Sequence, residues 1–345
     1  MNLHFQPTVH ADAAAISELL GRVFQLPAGA PLLDEKCMRW KYWTARSDWE
    51  GSRSYTARHN GALAAHAAVW PVRVRVSGQE LTAVKVIDWA ADPRYPGAGA
   101  WLIRRIAARV RIMVGTGGSK ISGQLLPLIG FRPHGELCHF GRSVRPLEQA
   151  LTTAPRDWKL PARLVRNGLW ALSHPLSAPD GWSVTPLTPE EVPEVLWARS
   201  SSNRAVTTRD ASFYRYVMSC PVAPHALFGL QKSGNLTGYF CVALVPHVAR
   251  IADLWLRSTN VEDWRDGFRT AATHAASDKH VYEISAWGST ALAKEALSRA
   301  GFLLRERSAV SLFGDAKVLD GRELQLQMLD SDASFLASGA ASYLT

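Results

Sequence analysis

The sequence predicts an α+β fold made of two similar domains, each with a mainly antiparallel central sheet flanked by helices. The chain has 345 residues, of which 47% are hydrophobic and 20% charged, and this is enough for two compact domains of ordinary size. Two strand-like segments that carry an acidic residue, Asp88 and Asp253, stand 165 residues apart. Similar patterns surround both segments, and such a long-period repeat indicates a duplicated domain.

Each half begins with a helical pattern and an aromatic segment, followed by a hairpin. The helical patterns are ADAAAISELLGRVF and PEEVPEVLWARSS, and the aromatic segments are MRWKYW and FYRYV. The hairpins are SYTARHNGALAAHAAVW, with a His-Asn-Gly turn, and ALFGLQKSGNLTGYFCVALV, with a Ser-Gly-Asn turn. Alternating apolar residues and these turn residues favour antiparallel strand pairs.

A central strand, a helix, a further strand and a second helix complete each half. The central strands are AVKVIDWAAD and ARIADLWLRS, and the helical patterns after them are WLIRRIAARVRI and WRDGFRTAATHAA. The next strands are RIMVGTG and HVYEISAW, and the last helical patterns, SKISGQLLPLIGF and STALAKEALSRAGF, both stop at Gly-Phe. Glycine commonly ends a helix, so a last core strand is expected to begin at each phenylalanine.

The predicted domains are residues 1–144 and 182–345, joined by a linker at residues 145–181. The linker contains one helical pattern, LPARLVRNGLWAL, and enough apolar residues to pack across both domains. Near the C-terminus, ELQLQMLDSD is predicted to form one more strand.

Composition restricts the class of protein. No apolar run is long enough to cross a bilayer and the first residues lack the apolar stretch of a signal peptide, so we expect a cytoplasmic protein with no membrane span. The four cysteines are far apart and lack metal-ligand spacing, so neither a disulfide framework nor a metal site is predicted. The net charge of +9 would attract RNA, an anionic surface or a phosphorylated cofactor.

The most informative segment is VIDWAADPRYPGAGAWLIRRI, in which a strand enters a glycine-rich loop that opens a helix. Backbone N–H groups at a helix start, together with the helix dipole, attract phosphate. Gly97 and Gly99 would allow close approach of an anion, and Pro96 restricts the turn. The segment lacks the Gly-Lys-Ser/Thr of a Walker loop and the GxGxxG of a dinucleotide site.

At these residues the chain resembles the GNAT superfamily of acyl-CoA-dependent N-acyltransferases. Arg94-Tyr95-Pro96-Gly97-Ala98-Gly99 is similar to the family's Arg/Gln-x-x-Gly-x-Gly/Ala pyrophosphate motif and stands, as in that family, between the central strand and its helix. The two Gly-Phe ends are similar to the family's later helix-to-strand segment. Because this covers most of both halves, the chain resembles a tandem GNAT protein with two GNAT-like domains.

The resemblance implies that acetyl-CoA, or another acyl-CoA, is the co-substrate and that no metal takes part. Its acyl group would pass by direct attack to an amine of a small molecule or amino sugar. Backbone amides of residues 94–100 would hold the pyrophosphate, and the strand end at residues 89–91 would bind the pantetheine and polarise the thioester carbonyl. The implied CoA-binding residues are Trp89, Ala90, Ala91, Arg94, Tyr95, Pro96, Gly97, Ala98, Gly99 and Ala100.

The reaction also needs a group that removes a proton from the acceptor, because an ammonium has no lone pair for attack. Asp88 on the central strand and His66 on the neighbouring strand are the candidate bases. Many family members have a tyrosine shortly before Gly-Phe that protonates the leaving thiolate, but Leu126 and Leu297 stand there, so no general acid is assigned.

The second half departs from the family at its loop, RSTNVEDWRDGF, where only Gly267 remains. Glu262, Asp263 and Asp266 would repel a pyrophosphate, so this half is predicted to bind no CoA.

Two alternatives stay open. One is a Fem-type transferase that takes its acyl group from aminoacyl-tRNA, the only case in which we expect a nucleic-acid partner. The other is a non-catalytic, CoA-binding regulatory protein, which the missing tyrosine favours. Under the leading interpretation the partner is a small-molecule amine.

Overall fold

The structure, a computed structural model, describes residues 2–118, 120–152, 157–199 and 204–336. Within these residues fourteen strands join in one mixed, mainly antiparallel sheet. The strands are β1 (His4–Pro7), β2 (Ser54–His59), β3 (Ala62–Val76), β4 (Gln79–Ala91), β5 (Ile112–Thr116), β6 (Arg132–Ser143), β7 (Trp182–Leu187), β8 (Arg204–Thr208), β9 (His225–Lys232), β10 (Asn235–Val245), β11 (Val248–Leu256), β12 (Glu283–Gly288), β13 (Leu303–Gly314) and β14 (Glu323–Gln325).

Ten α-helices flank this sheet in the described part of the chain. They are α1 (Ala13–Phe24), α2 (Glu35–Met38), α3 (Ala98–Ala107), α4 (Lys120–Ile129), α5 (Pro146–Thr152), α6 (Leu160–Ser173), α7 (Glu194–Trp197), α8 (Ala211–Met218), α9 (Val261–Ala276) and α10 (Ala291–Arg299). The aromatic segment of the first half forms a π-helical turn, Arg39–Trp43. The predicted α+β class is confirmed.

The two halves repeat one topology. In the first, antiparallel strands β2, β3 and β4 lead through α3 to β5, which is parallel to β4. In the second, β9, β10 and β11 lead through α9 to β12, which is parallel to β11. Ala83 in β4 pairs with Ile112, and Val248, 165 residues later, pairs with Glu283. The predicted duplication of one domain is therefore confirmed.

The halves exchange their last strands. The sheet runs β1-β2-β3-β4-β5-β13-β6-β12-β11-β10-β9-β7. Thus β13 of the second half pairs with β5 of the first half. In turn, β6 of the first half pairs with β12 of the second half. The strands β8 and β14 branch from this path, with β8 beside β3. The limits at residues 144 and 182 stay a prediction, but part of each half's sheet comes from the other half.

Two sequence-based expectations need correction. The helix expected over PEEVPEVLWARSS is a short 3-10 turn, Pro189–Glu191, followed by the four-residue α7. Pro193 stands between them, and a proline has no N–H to continue a helix. The strand expected over ELQLQMLDSD covers only β14, and the chain then turns through Met328–Asp330 and Asp332–Ser334. The predicted linker helix is confirmed as α6.

A shared core holds the halves together. The indole of Trp40 stacks on Tyr216 of the second half with 4.8 Å between ring centroids, and its Nε1 donates to the Tyr216 carbonyl at 3.1 Å. Phe335, near the end of the described chain, packs edge-on against Trp40 at 4.9 Å. The four cysteines are free and buried. None of the described helices has both the length and the apolar character needed to cross a membrane.

Candidate active site

A cavity of about 1370 Å³ lies where β4 and β5 separate. The two strands pair only from Ala83 to Lys85 and from Ile112 to Val114. Past these residues they diverge, and both strand ends line the cavity. The second half contributes Trp287, Glu306, Ser308, Ser331, Asp332 and Ala333. The cavity is therefore built by both halves of the chain.

A bulge in β4 lies at the mouth of this gap. Ala68 of β3 pairs with Ile87 and His66 pairs with Ala90, so β4 has one more residue than β3 in between. Asp88 has a left-handed backbone with φ of 50°, which is uncommon for a residue other than glycine. Bulges bend a strand and increase its twist. The bulge thus explains why β4 turns away from β5 at this point.

The glycine-rich loop presents free backbone N–H groups to the cavity. The amides of Arg94, Tyr95 and Ala98 donate to Asp92 Oδ1, the Asp92 carbonyl and the Tyr95 carbonyl. Within the described residues the amides of Gly97, Gly99 and Ala100 donate no hydrogen bond. All three of these residues line the cavity at the start of α3. Because the first amides of a helix carry partial positive charge, these three amides are suited to binding an anion.

Both glycines of the loop are needed for its geometry. Gly97 has φ of 85°, a conformation that strains other residues. A Cβ on Gly99 would lie 3.0 Å from Ala91 Cβ and 3.0 Å from the indole Nε1 of Trp89. That indole also donates to the Gly99 carbonyl at 3.2 Å and so fixes the loop against the end of β4.

Two arginines neutralise the acid beside the loop. Asp92 is buried and accepts from Arg94 Nη2 at 2.7 Å and from Arg22 Nη2 at 2.7 Å. The hydrogen bonds from Arg94 lower the pKa of Asp92 to about 2. The guanidinium of Arg94 is therefore engaged by Asp92, and its charge offsets a carboxylate that would otherwise repel an anion.

Asp88, one of the predicted bases, is held by two partners from the π-helical turn. Its Oδ2 lies 2.5 Å from the Nζ of Lys41 and accepts from the Tyr42 hydroxyl at 2.6 Å. The side chains of Lys41 and Asp88 are 0% and 3% exposed. Asp88 lines the cavity, but its carboxylate is the counter-ion of a buried ammonium.

His66, the other predicted base, is buried between two partners. Its Nε2 lies 2.8 Å from Ser54 Oγ and its Nδ1 lies 3.0 Å from the Asp88 carbonyl. Burial lowers the pKa of His66 to about 4, so the ring is neutral at ordinary pH. The ring supports the bulge in β4 and is absent from the cavity lining.

Three further charged residues were missed from the sequence: Lys85 and Asp332, which line the cavity, and Lys41, which contacts Asp88 and Asp332. Burial lowers the pKa of Lys85 to about 8, and its Nζ lies 4.6 Å from the ring centroid of Trp287. Burial raises the pKa of Asp332 to about 6. No local motif marks these residues, because Lys41 and Lys85 come from the first quarter of the chain and Asp332 from its last segment.

The structure places only some of the predicted CoA-binding residues at the cavity. Trp89, Ala91, Arg94, Gly97, Gly99 and Ala100 line the cavity, whereas Ala90, Tyr95, Pro96 and Ala98 do not. Leu126, at the family's tyrosine position, lines the cavity with Ile121 and Leu125 of α4, and these side chains make one wall apolar. No group of three potential metal ligands occurs among the described residues.

The corresponding loop of the second half differs. The first turn of α9 is capped by Asn260, whose side chain accepts from the Glu262 amide at 2.9 Å. Asp263 in the same turn accepts from Lys232 at 2.6 Å. A side-chain cap and two carboxylates thus stand where the first half offers free amides.

Several solved structures with the same fold are described as acyltransferases. No protein-family model matches the chain, and no curated protein matches it. The N-myristoyltransferase of Saccharomyces cerevisiae, solved with bound myristoyl-CoA and inhibitors, is similar over 90% of this chain and 80% of its own, with 12% identity and a TM-score of 0.62. A GCN5-related N-acetyltransferase from Anabaena variabilis is similar over 90% of this chain and 72% of its own, with 12% identity and a TM-score of 0.59.

A GCN5-related N-acetyltransferase from Kribbella flavida is similar over 93% of this chain and 74% of its own, with 12% identity and a TM-score of 0.57. At this identity the likeness concerns the fold, and it agrees with the resemblance read from the glycine-rich loop. The chain has the tandem GNAT fold, as N-myristoyltransferase does.

Proposed function

We propose that this protein is an acyl-CoA-dependent N-acyltransferase that moves an acyl group, most simply acetyl, to the amine of a small molecule or amino sugar. The observation that carries the proposal is the set of three unpartnered amides, Gly97, Gly99 and Ala100, at the cavity beside the separated strands β4 and β5. These amides are hydrogen-bond donors without acceptors, and the oxygens of a pyrophosphate would accept from them.

The rest of the cavity fits the remainder of an acyl-CoA. The end of β4 at Trp89 and Ala91 lies next to the loop, so an extended pantetheine arm can follow the unpaired edge of this strand. The apolar wall of Ile121, Leu125 and Leu126 faces the same space and suits its methylene groups.

The chain's own groups then supply the chemistry. A backbone N–H near residues 89–91 is assigned to polarise the thioester carbonyl and to stabilise the negative charge that develops on its oxygen. The acceptor must reach this point as a free amine, and a nearby base would take its proton. The sequence assigns that role to Asp88 or His66.

Calorimetric titration with acetyl-CoA tests the CoA site. We expect one equivalent to bind per chain to the wild type. In Gly99→Val we expect about 100-fold weaker binding, because the new side chain displaces the loop and weakens charge-assisted hydrogen bonds worth about 1.5–3 kcal/mol each.

Gly123→Val is the matched control, because a Cβ on this α4 glycine meets no atom within 4 Å and Gly123 is not part of the cavity lining. Unchanged affinity in Gly99→Val, or two equivalents per chain, would contradict the assignment of CoA to the first half. Release of free thiol from acetyl-CoA with glucosamine, L-lysine, putrescine and tyramine then tests turnover. Binding without turnover would favour the non-catalytic alternative, and the absence of binding would favour the tRNA-dependent one.

A further inference from the structure

The described chain ends against the cavity. After β14 it turns through Met328–Asp330 and Asp332–Ser334. Ser331, Asp332 and Ala333 line the cavity, and all three belong to the second half of the chain. Arg250 of β11 anchors this segment by donating to the Ala333 carbonyl. The side-chain carboxylate of Asp332, in the last described segment, is therefore held at a cavity whose other walls come mostly from the first half.

Asp332 and Asp88 share the ammonium of Lys41 unequally. Lys41 Nζ lies 2.5 Å from Asp88 and 3.6 Å from Asp332. The Asp332 side chain is 19% exposed, against 3% for Asp88. Asp88 is thus the main counter-ion of Lys41, while Asp332 lines the cavity with a more exposed side chain.

Building on the proposed function, we propose that Asp332 binds the ammonium of the acceptor and accepts its proton, and that the acceptor lies between the two halves. Asp88 directly precedes the strand end assigned to the thioester, and Lys41 joins Asp88 to Asp332. The carboxylate of Asp332 therefore lies close to the acyl group as well as to the open side of the cavity. The acceptor class is a primary amine that is protonated in solution.

The proton and electron pairs balance as follows. The acceptor ammonium gives one proton to the Asp332 carboxylate and becomes a neutral amine. Its lone pair forms the C–N bond at the thioester carbonyl carbon, and the C–S bond breaks towards sulfur. The second nitrogen proton passes to the thiolate, which leaves as a thiol, and Asp332 returns its proton to water. The net products are the amide, the free thiol and one proton.

The charges around Asp332 place its ionisation in a useful range. Burial and the negative charge of Asp88 raise its pKa, and the cations Lys41 and Lys85 oppose this change. A base that ionises near the working pH can both bind and release a proton. The titratable and charged groups that interact with Asp332 are Lys41 and Tyr42 of the π-helical turn, Cys37 of α2, Lys85 and Asp88 of β4, and Arg250 of β11.

The test compares Asp332→Asn with the wild type, using the best amine of the panel and hydroxylamine. For the protonated amine we expect kcat/KM to fall by about 10²–10⁴-fold, the range for loss of general acid–base catalysis. After correction for ionisation of the amine, the kcat/KM of the wild type should rise with pH around the pKa of Asp332, about 6. The variant should lack this rise. With hydroxylamine, already uncharged at neutral pH, the variant should lose less than tenfold.

Asp330→Asn is the matched control, because Asp330 is two residues away and accepts from Arg209 at 2.7 Å instead of lining the cavity. It should lower the melting temperature and leave the rate per folded molecule and its pH profile unchanged. Acetyl-CoA affinity of Asp332→Asn, measured by calorimetry, should equal that of the wild type.

The outcomes separate the two proposals. Full turnover of the protonated amine by a folded Asp332→Asn, or equal losses with both nucleophiles, would overturn the role of Asp332 and leave the acyltransferase proposal standing. Loss of the pH 6 ionisation in Asp88→Asn but not in Asp332→Asn would return the base to Asp88. A wild type that binds no acetyl-CoA, or turns over none of the amines, would overturn both proposals.

Discussion

The two halves place an acidic residue at the same point of the same strand, yet surround it differently. Asp253 in β11 is 0% exposed, forms an ion pair and hydrogen bond with Arg199 and accepts from the Tyr214 hydroxyl, and Arg209 Nε lies 3.3 Å away. Asp88 in β4 has one close cation, Lys41, and one hydroxyl, Tyr42. Both acids neutralise buried cations, but of the two only Asp88 lines the cavity described above.

The end of the chain explains why the second gap is filled. Leu254 in β11 has the position that Trp89 has in β4, 165 residues earlier. Its carbonyl accepts from the Gln327 side chain at 3.0 Å, and the Leu326 amide donates to Ser289 Oγ, just past β12, at 2.8 Å. Residues 326–327 thus lie across the ends of β11 and β12, where β4 and β5 leave space in the first half.

The largest difference in stability between the halves is expected when the charge of Asp253 or of Asp88 is removed. Asp253→Asn would remove the ion-pair partner of the buried Arg199, although Arg209 would keep Asp330. Loss of one partner of a buried pair costs about 3–5 kcal/mol. Asp88→Asn should cost less, because Asp332 remains as a partner for Lys41. Urea unfolding of both variants measures the difference. A larger loss in Asp88→Asn would contradict this account of the two ion pairs.

The next effect concerns pH and the neutral histidines of each half. Burial lowers the pKa values of His66 and His225 to about 4 from 6.5. The unfolded chain binds these protons first, so stability is full above pH 6.5 and is lost as the pH falls towards 4. Each histidine should cost about 2 kcal/mol between pH 7 and pH 5.

His66→Gln and His225→Gln should each reduce this pH dependence, as measured by urea unfolding at the two pH values. The same dependence in both variants as in the wild type would show that these rings do not stay neutral. A change in His66→Gln alone would show that the halves differ here as well.

The smallest effect concerns the helix starts. Asn260→Ala removes the side-chain cap of α9 and should cost about 1 kcal/mol of stability. Acetyl-CoA affinity should not change, because the proposed CoA site lies at the start of α3, whose N-cap residue Gly97 provides no side-chain cap. Urea unfolding and calorimetry on one preparation measure both quantities. Weaker acetyl-CoA binding in this variant would argue for a CoA site in the second half.

Local patterns in the sequence were sufficient for the repeated part of the fold. The hairpins follow from turn residues such as Asn60-Gly61, and the helix stops follow from Gly130 and Gly301, which have left-handed backbones. The glycine-rich loop was identified because its amide geometry depends on residues adjacent in the chain. Pro193 interrupts the helix expected over PEEVPEVLWARSS, because a proline has no N–H to continue a helix.

Only the tertiary structure decided which side chains meet at the site. Packing brought Lys41 to Asp88, exchanged β6 and β13 between the halves, and placed Asp332 at the cavity of the first half while residues 326–327 filled the gap of the second. The order of elements, the duplication and the glycine-rich loop follow from the sequence, since each depends on neighbouring residues. The ion pairs and the cavity depend on contacts between distant residues, whose choice is governed by burial and charge compensation in the folded chain.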